Sequence, residues 1–511
     1  MDRRRFLGLS AFSIAFSGCG GESNSKSSVV VTTPAPIVSV NSSVAESEWL
    51  QLIDDLKGKV TLPNEGRIYD NARLVFNKRF DHIHPEGIVH CANEADIKTA
   101  LSFIKRNNLH ITSRCGGHGY TGNSTTTGLV LDLTSINTIT VAEDTVTIGG
   151  GAILVDIYDQ LTAQGIGIPL GSCLSVGIAG LTLGGGIGII DRAYGLTCDN
   201  LLSAEVITAD GETIVCSATQ EPDLFWALRG GGGNFGIVSN FTFSTHATKD
   251  ITVFEAYYAF DDFETVMAQW QVLSQEWPNE MWAQIIPNWM NGVTTVYIRA
   301  FCLNTLNEAT QYWQVFINSI DATPTSNTVS TDSYRNVMLG TCEKTIAACH
   351  LVGQLSQGTM PRSAFAASSD FFHQIIPPTG IQTLKAFIEK SKSDGKLGMI
   401  IINTMGGAID DFSKNDTAFI HRSAVFSAEY YTYLSTNVSN ESIDQTQKWQ
   451  NSFREIMAPW SSGGAYVNYL DTYIQDWQHA YYGDNYTRLT QIKRQYDPDG
   501  IFTTSQGIEP A

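Results

Sequence analysis

The stretch SRCGGHGYTG, residues 113–122, is a loop almost stripped of side chains: from residue 114 to 119 only Arg114, Cys115 and His118 interrupt the glycines. A backbone this bare can approach a ligand closely, and the single histidine then stands out against it. Upstream, HPEGIVHCANEADIKTALSFIKRNNLHIT predicts a strand at 87–91, a helix with Ile97, Leu101 and Ile104 on one face, and a strand at 109–112. This is a βαβ unit that opens into the loop. Downstream, strands are predicted at 128–133 and 144–151, followed by a helix whose Ile153, Ile157 and Leu161 share a face. NLLSAEVITADGETIVC reads as a hairpin turning at Asp210-Gly211, and the next helix opens at Pro222 and stops at the glycines of RGGGGNFG.

The chain has 511 residues, a length that predicts two to three domains. Its 51 acidic against 32 basic residues give a net charge of -19, which opposes nucleic acid or an anionic membrane surface as a partner. The opening MDRRRFLGLSAFSIAFSGCGGESNS reads as a targeting segment over residues 1–25. Arg3, Arg4, Phe6 and Leu7 resemble a twin-arginine signal, and FSGC resembles a lipobox with Cys19 as its lipid-anchor residue, simple cleavage nearby being the alternative. Export to the periplasm or cell surface is the resulting expectation. Residues 26–45, rich in Ser, Thr, Val and Pro, read as a flexible tether. The uncharged stretch from Gly165 to Ile190 contains nine glycines and Pro169, too many breaks for a membrane helix, and reads as loops inside a domain. Cys342 and Cys349, in CEKTIAAC, are close enough to bridge if the turn between them allows.

A change of texture near residue 248, from glycine-rich to longer aromatic segments, divides a domain at 46–247 from a second at 248–459. Glycine-rich sequence returns at 460–511, which is expected to fold back onto the first domain. The three tryptophans of WPNEMWAQIIPNWMNG read as aromatic core packing more readily than as a platform for a sugar ring.

Three loops, at 114–119, 171–188 and 230–236, suit close approach to a pyrophosphate, although each alone is equally a set of tight turns. A Rossmann site does not fit, because GGGIGI lacks the G-x-G-x-x-G spacing and Gly195 breaks the chain before an amphipathic helix could form.

Together RCGGHGYTG, GSCLSVGIAGLTLGGGIGIIDRAYGLTCDNLL, GGGGNFGIV and YYGDNYTRLTQIKRQYDPDGIF resemble the berberine-bridge-enzyme-like FAD-linked oxidases, from about residue 60 to the C-terminus. The resemblance implies an α+β chain: a PCMH-type FAD-binding domain of two α/β subdomains, and a substrate domain whose antiparallel sheet is covered by helices. It implies FAD attached covalently through His118 and, in doubly linked members, through the cysteine position occupied here by Cys173. Cofactor contacts carry over to Arg114, Gly116, Gly117 and Gly119, to Val176, Gly177, Gly180, Gly185 and Gly188, and to Asn200, Ile237, Tyr481, Tyr482 and Asn485. Val176 matches the position that leaves oxygen a path to the flavin. The motifs require no metal.

The activity so implied is oxidation of a CH–OH group of a small molecule, such as a sugar or oligosaccharide, with oxygen as acceptor and hydrogen peroxide as product. A dehydrogenase with another acceptor and an inactive ligand-binding flavoprotein are the alternatives. The chemistry needs a base for the hydroxyl proton. YVNY offers Tyr469 as that base, Tyr466 as second choice and Asn468 as a positioning group, with strand alternation placing the two tyrosines on opposite faces. His421 and Arg422 are further candidates for the substrate cleft or for a structural role.

Overall fold

The computed structural model describes residues 43–290, 293–352, 357–434 and 440–511. The expected targeting segment and nearly all of the expected tether lie outside the described residues.

A four-stranded sheet comes first, with Lys59–Thr61, Gly87–His90, Leu129–Asp132 and Ile111–Arg114 in that spatial order. The predicted βαβ unit is present with one difference: Leu129–Asp132 lies between its two strands and runs parallel to both. The second strand also starts later than its hydrophobic pattern suggests, because Leu109 N–H still closes the end of the helix on the Ile104 carbonyl. That helix, Glu94–Asn107, is capped by the Asn93 side chain and ends at Asn108 in the left-handed region. It buries Ile97, Ala100, Leu101 and Ile104 at the spacing of one face.

A second sheet, antiparallel throughout, orders Ile139–Val141, Thr145–Gly149, Ile237–Ser244, Leu201–Ile207 and Thr213–Ser217. Its 201–217 hairpin turns at Gly211, whose φ of 87° only glycine holds without strain. The glycine-rich stretch from 165 to 190 contains a two-residue strand and the short helix Ile178–Leu183 between loops. No helix among the described residues is long and apolar enough to cross a membrane.

Seven antiparallel strands form the third sheet: Ser326–Asp332, Ile251–Ala259, Thr295–Cys302, Met281–Asn288, Gly398–Thr404, Phe426–Tyr433 and Phe365–Phe372. Alternation sends Ile285, Ile298, Ile400 and Tyr430 into a core shared with the helices Phe263–Leu273, Leu306–Ser319 and Pro378–Ser393. Trp277 and Trp289 lie in this core and Trp282 in the neighbouring one, all three buried, so they pack the interior. The opposite face of the sheet looks toward the glycine loops.

The C-terminal segment returns across both regions. Lys493 Nζ, fully buried, donates to Asp497 Oδ2 at 2.5 Å, to the Asn234 carbonyl at 2.6 Å and to the Phe502 carbonyl at 2.8 Å. Cys342 and Cys349 are joined in a disulfide in the segment between the helix Tyr334–Leu339 and the strand Phe365–Phe372.

Candidate active site

Between the glycine loops and the open face of the seven-stranded sheet lies a cavity of about 1020 Å³. Its floor is built from backbone that tolerates no side chain. A methyl on Gly116 would fall 2.3 Å from Gly177 N, and one on Gly177 would fall 2.2 Å from Cys115 Sγ, so the 114–119 and 173–180 loops touch through bare positions. Gly180, by contrast, would meet nothing within 4 Å on its cavity side.

His118 is half-buried, with its ring stacked on Phe76 at 4.2 Å and Nε2 2.9 Å from Ser175 Oγ. Burial pushes its pKa down to about 3, so the imidazole is neutral near pH 7 and one ring nitrogen keeps a free lone pair. Ser175 Oγ also lies 4.0 Å from Cys173 Sγ. Cys173 opens onto the cavity, and the surrounding protein pushes its thiol above the ordinary range. Ser175 therefore holds the histidine and the cysteine to one hydroxyl, a role that nothing in its local sequence signals.

Across the cavity stands Glu429, on the Phe426–Tyr433 strand and buried. Tyr120 donates its hydroxyl to Glu429 Oε1 at 2.8 Å, and Tyr469 donates to the same carboxylate. The two tyrosine rings stack at 5.1 Å. Burial raises the Glu429 pKa to about 7, against the lowering effect of the two phenolic donors. Burial, and then the charge of Glu429, push Tyr469 well above its ordinary value. The carboxylate, not the phenol, is thus the group that can hold or release a proton near neutrality. Sequence reasoning misses Glu429 because it is one acidic residue in an aromatic strand, with its partner Tyr120 309 residues away.

Several sequence-based expectations require correction. YVNY is not a strand: Val467–Tyr469 is a 3-10 turn in which Tyr469 N–H bonds to the Tyr466 carbonyl. The two rings consequently meet edge to face at 4.9 Å instead of pointing apart. Tyr466 Oη accepts from Gly186 N at 2.9 Å, Ile187 N at 3.2 Å and Asn468 Nδ2 at 2.9 Å, an anchored hydroxyl that braces the loop. Arg114 turns away from the cavity. Its Nη2 meets Asp132 Oδ2 at 2.7 Å and the Ala72 carbonyl at 2.7 Å, and the guanidinium holds the Asp132 carboxyl below its usual range although burial acts to raise it.

Gly116, Gly117, Gly119, Val176, Gly177, Gly180 and Tyr482 line the cavity together with His118, Cys173, Tyr466, Asn468 and Tyr469. The remaining expected contacts do not. Gly185 packs against Phe419 and Gly188 against the Leu170 carbonyl. Asn200 donates to the Tyr194 and Leu196 carbonyls, and Asn485 to the Lys414 carbonyl. Ile237 is buried in the core behind the sheet. Tyr481 Oη accepts from Asp471 N at 2.8 Å. His421 is buried against Phe371, and Arg422 is paired with Asp199, so both are structural.

These features fit a flavin dinucleotide. The volume lies at the top of the range of about 300–1,000 Å³ typical of ligand pockets, and the glycine floor removes the side chains that would fill it. His118 and Cys173 present a ring nitrogen and a sulfur at the cavity.

Profiles of known families match in two places, FAD binding domain over residues 85–217 and berberine and berberine like over 465–509. Among solved structures, BBE-like 1 of Physcomitrella patens superposes with a TM-score of 0.81 at 24% identity, covering 91% of this chain and 99% of that one. Glucooligosaccharide oxidase of Acremonium strictum, a protein described with 6-S-cysteinyl, 8α-N1-histidyl FAD, does so with a TM-score of 0.81 at 23% identity, covering 91% of this chain and 99% of that one. Berberine bridge enzyme-like 4 of Arabidopsis thaliana is 27% identical over 85% of this chain and 87% of its own length. The FAD-linked oxidoreductase YgaK of Bacillus subtilis is 31% identical over 86% of this chain and 95% of its own. Similarity sustained over nearly the whole of that relative makes this chain a member of the berberine-bridge-enzyme-like FAD-linked oxidases of the PCMH type, an oxidoreductase whose cofactor is FAD.

Proposed function

We propose that the protein is an exported oxidase that removes hydride from the CH–OH carbon of a small molecule, with FAD attached through His118 and Cys173 and oxygen as the final acceptor, giving hydrogen peroxide. The observation that carries this reading is the opposition, across one cavity, of the His118–Ser175–Cys173 group and the Tyr120–Glu429–Tyr469 group. In the proposed division of labour, residues 46–247 and 460–511 hold the cofactor and 248–459 shape the substrate site. The twin-arginine-like opening, which suits a protein exported already folded, supports export.

FAD, when bound, supplies the hydride acceptor and the route to oxygen. The chain supplies the rest. Glu429, poised near pH 7, is the proton acceptor, and Tyr469, hydrogen-bonded to it, lines the cavity beside it. Tyr469 takes the substrate hydroxyl proton while handing its own to Glu429, so no free phenolate accumulates. Tyr120 holds the other side of the carboxylate, and Asn468 positions the turn through the Leu181 carbonyl and Tyr466. The neutral imidazole of His118 and the thiol of Cys173 are the attachment points that the Acremonium protein's description supports.

The test is to denature the purified protein and follow yellow colour with the polypeptide. Wild type is expected to keep its flavin, each of His118→Ala and Cys173→Ala to keep one link, and the double variant to release it. Flavin released from denatured wild type would overturn the covalent assignment. Reduction by an alcohol followed by peroxide formation in air tests the oxidase assignment.

A further inference from the structure

On the reading above His118 and Cys173 are attachment points, and one buried hydroxyl lies against both. Ser175 is fully buried on the 173–180 loop, 57 residues along the chain from His118. The two loops meet through bare backbone. A methyl on Gly116 would fall 2.8 Å from the Ser175 carbonyl, so a side chain there would push the serine away from the histidine.

Phe76 and Ser175 fix different properties of the imidazole. Stacking on Phe76, at 4.2 Å between centroids and 18° between planes, sets the plane of the ring. A half-turn about the bond to Cβ leaves that plane unchanged, so stacking alone accepts either orientation. The hydrogen bond does not, because the half-turn would put a carbon where Nε2 now stands, 2.9 Å from Ser175 Oγ. Ser175 also acts on the ring through its backbone, in the direction that favours a proton on it. The serine side of the ring is thus the acceptor side: Nε2 carries the one proton of the neutral imidazole, and the lone pair falls to Nδ1.

We propose that Ser175 is a positioning residue for flavin attachment, selecting Nδ1 of His118 as the atom that bonds the cofactor. The bond forms between Nδ1 and the 8α carbon, the carbon named in the description of the Acremonium protein. One proton leaves that carbon and one leaves Nε2, while the two electrons released pass through the flavin to dioxygen, which becomes hydrogen peroxide. Before the bond forms, Ser175 Oγ accepts from Nε2–H; afterwards Nε2 is bare, and the same hydroxyl turns and donates to it. A carbonyl could serve only the first state. Cys173 Sγ, 4.0 Å from the hydroxyl, is too distant to be oriented to the same degree.

The inference rests on the covalent reading, and one experiment separates the two. Wild type, Cys173→Ala and His118→Ala are prepared with Ser175 kept or changed to Ala or Thr, and incubated with FAD for a fixed time. After denaturation, flavin on the polypeptide is measured by absorbance and by the masses of the peptides that carry residues 118 and 173. In the Cys173→Ala background, Ser175→Ala should lower the flavin held through His118 about tenfold, the worth of one hydrogen bond, and Ser175→Thr should restore it. In the His118→Ala background, Ser175→Ala should leave the Cys173 link in place. Equal loss of both links would mean that the change disturbs the loop carrying Ser175 and Cys173, and would overturn the positioning role, as would an unchanged His118 link.

The bonded atom has its own readout. Histidyl flavin released by digestion of wild type should be linked at Nδ1 alone, and the residual product of Ser175→Ala should include the Nε2 isomer, the two being told apart by NMR. Attachment through Nε2 in wild type would overturn the selection whatever the stability of the variants. Wild type that releases all its flavin on denaturation would overturn the covalent reading and this inference with it.

Discussion

At Glu429 the proposed proton transfer and a cost to stability fall on one side chain, and the two can be measured separately. A base works in its ionised form, so with a pKa of about 7 the wild-type rate should rise with pH through neutrality and then level off. Glu429→Gln should lower kcat by about 10²- to 10⁴-fold and abolish that rise, and Tyr469→Phe, which removes the group that passes the proton to the carboxylate, should cost a comparable factor. An equal rise in both variants would move the base elsewhere. The sign of the stability effect is opposite to that of a salt-bridged acid. Because the folded pKa is raised above the unfolded value, burial of the neutral carboxyl is tolerated at low pH, and stability is lost as pH rises toward and through about 7. Glu429→Gln should therefore be more stable than wild type at pH 8, by up to about 3 kcal/mol, with little difference at pH 4 in denaturant unfolding.

Among the elements, the loops are far easier to read than the sheet that faces them. Glycine, histidine and cysteine in the 114–119 and 171–188 loops act through their own local backbone, so their spacing is visible in a single sequence. Arg114 shows where that legibility ends. A cation beside a bare loop suggests a phosphate ligand, but its register partner on the adjacent strand is Asp132, and the pair is buried. YVNY shows another limit, since alternating aromatic residues fit a strand and a 3-10 turn equally well until Tyr466 is anchored by the Gly186 and Ile187 amides. Glu429 acquires its role only when the third sheet docks against the loops, an event no local pattern encodes. The loop contact itself is testable. Gly116→Ala would push a methyl to 2.3 Å from Gly177 N, so the 114–119 and 173–180 loops must separate. The variant should fold, because the strands on either side are untouched, but purify with little flavin. A full flavin complement, measured as the ratio of visible to protein absorbance, would show that the contact is dispensable.

For the molecule as a whole, the C-terminal segment couples the cofactor floor to the rest of the fold through one buried cation. Lys493 and Asp497 are both fully buried. Asp497 also accepts from the Ile501 and Phe502 amides at 2.8 Å, while Lys493 reaches the Asn234 carbonyl beside the 230–236 glycines. Asn234 in turn accepts the Ile508 amide on its side-chain oxygen at 3.1 Å. Such a pair is weak evidence for net stability, because desolvating two charges offsets most of their attraction, but removing one partner strands the other. Lys493→Met should thus cost about 3–5 kcal/mol. Because Asn234, Phe502, Thr503 and Gln506 all line the cavity, the same change should also weaken flavin retention in protein lacking the proposed attachment residues. In the His118→Ala, Cys173→Ala background, flavin should leave Lys493→Met faster on dialysis than it leaves the parent. Adding Asp497→Leu, which removes the stranded carboxylate, should restore part of the stability but not the retention, since Asn234 still lacks its donor. If both recover together, the buried pair serves stability alone and does not set the geometry of the cofactor floor.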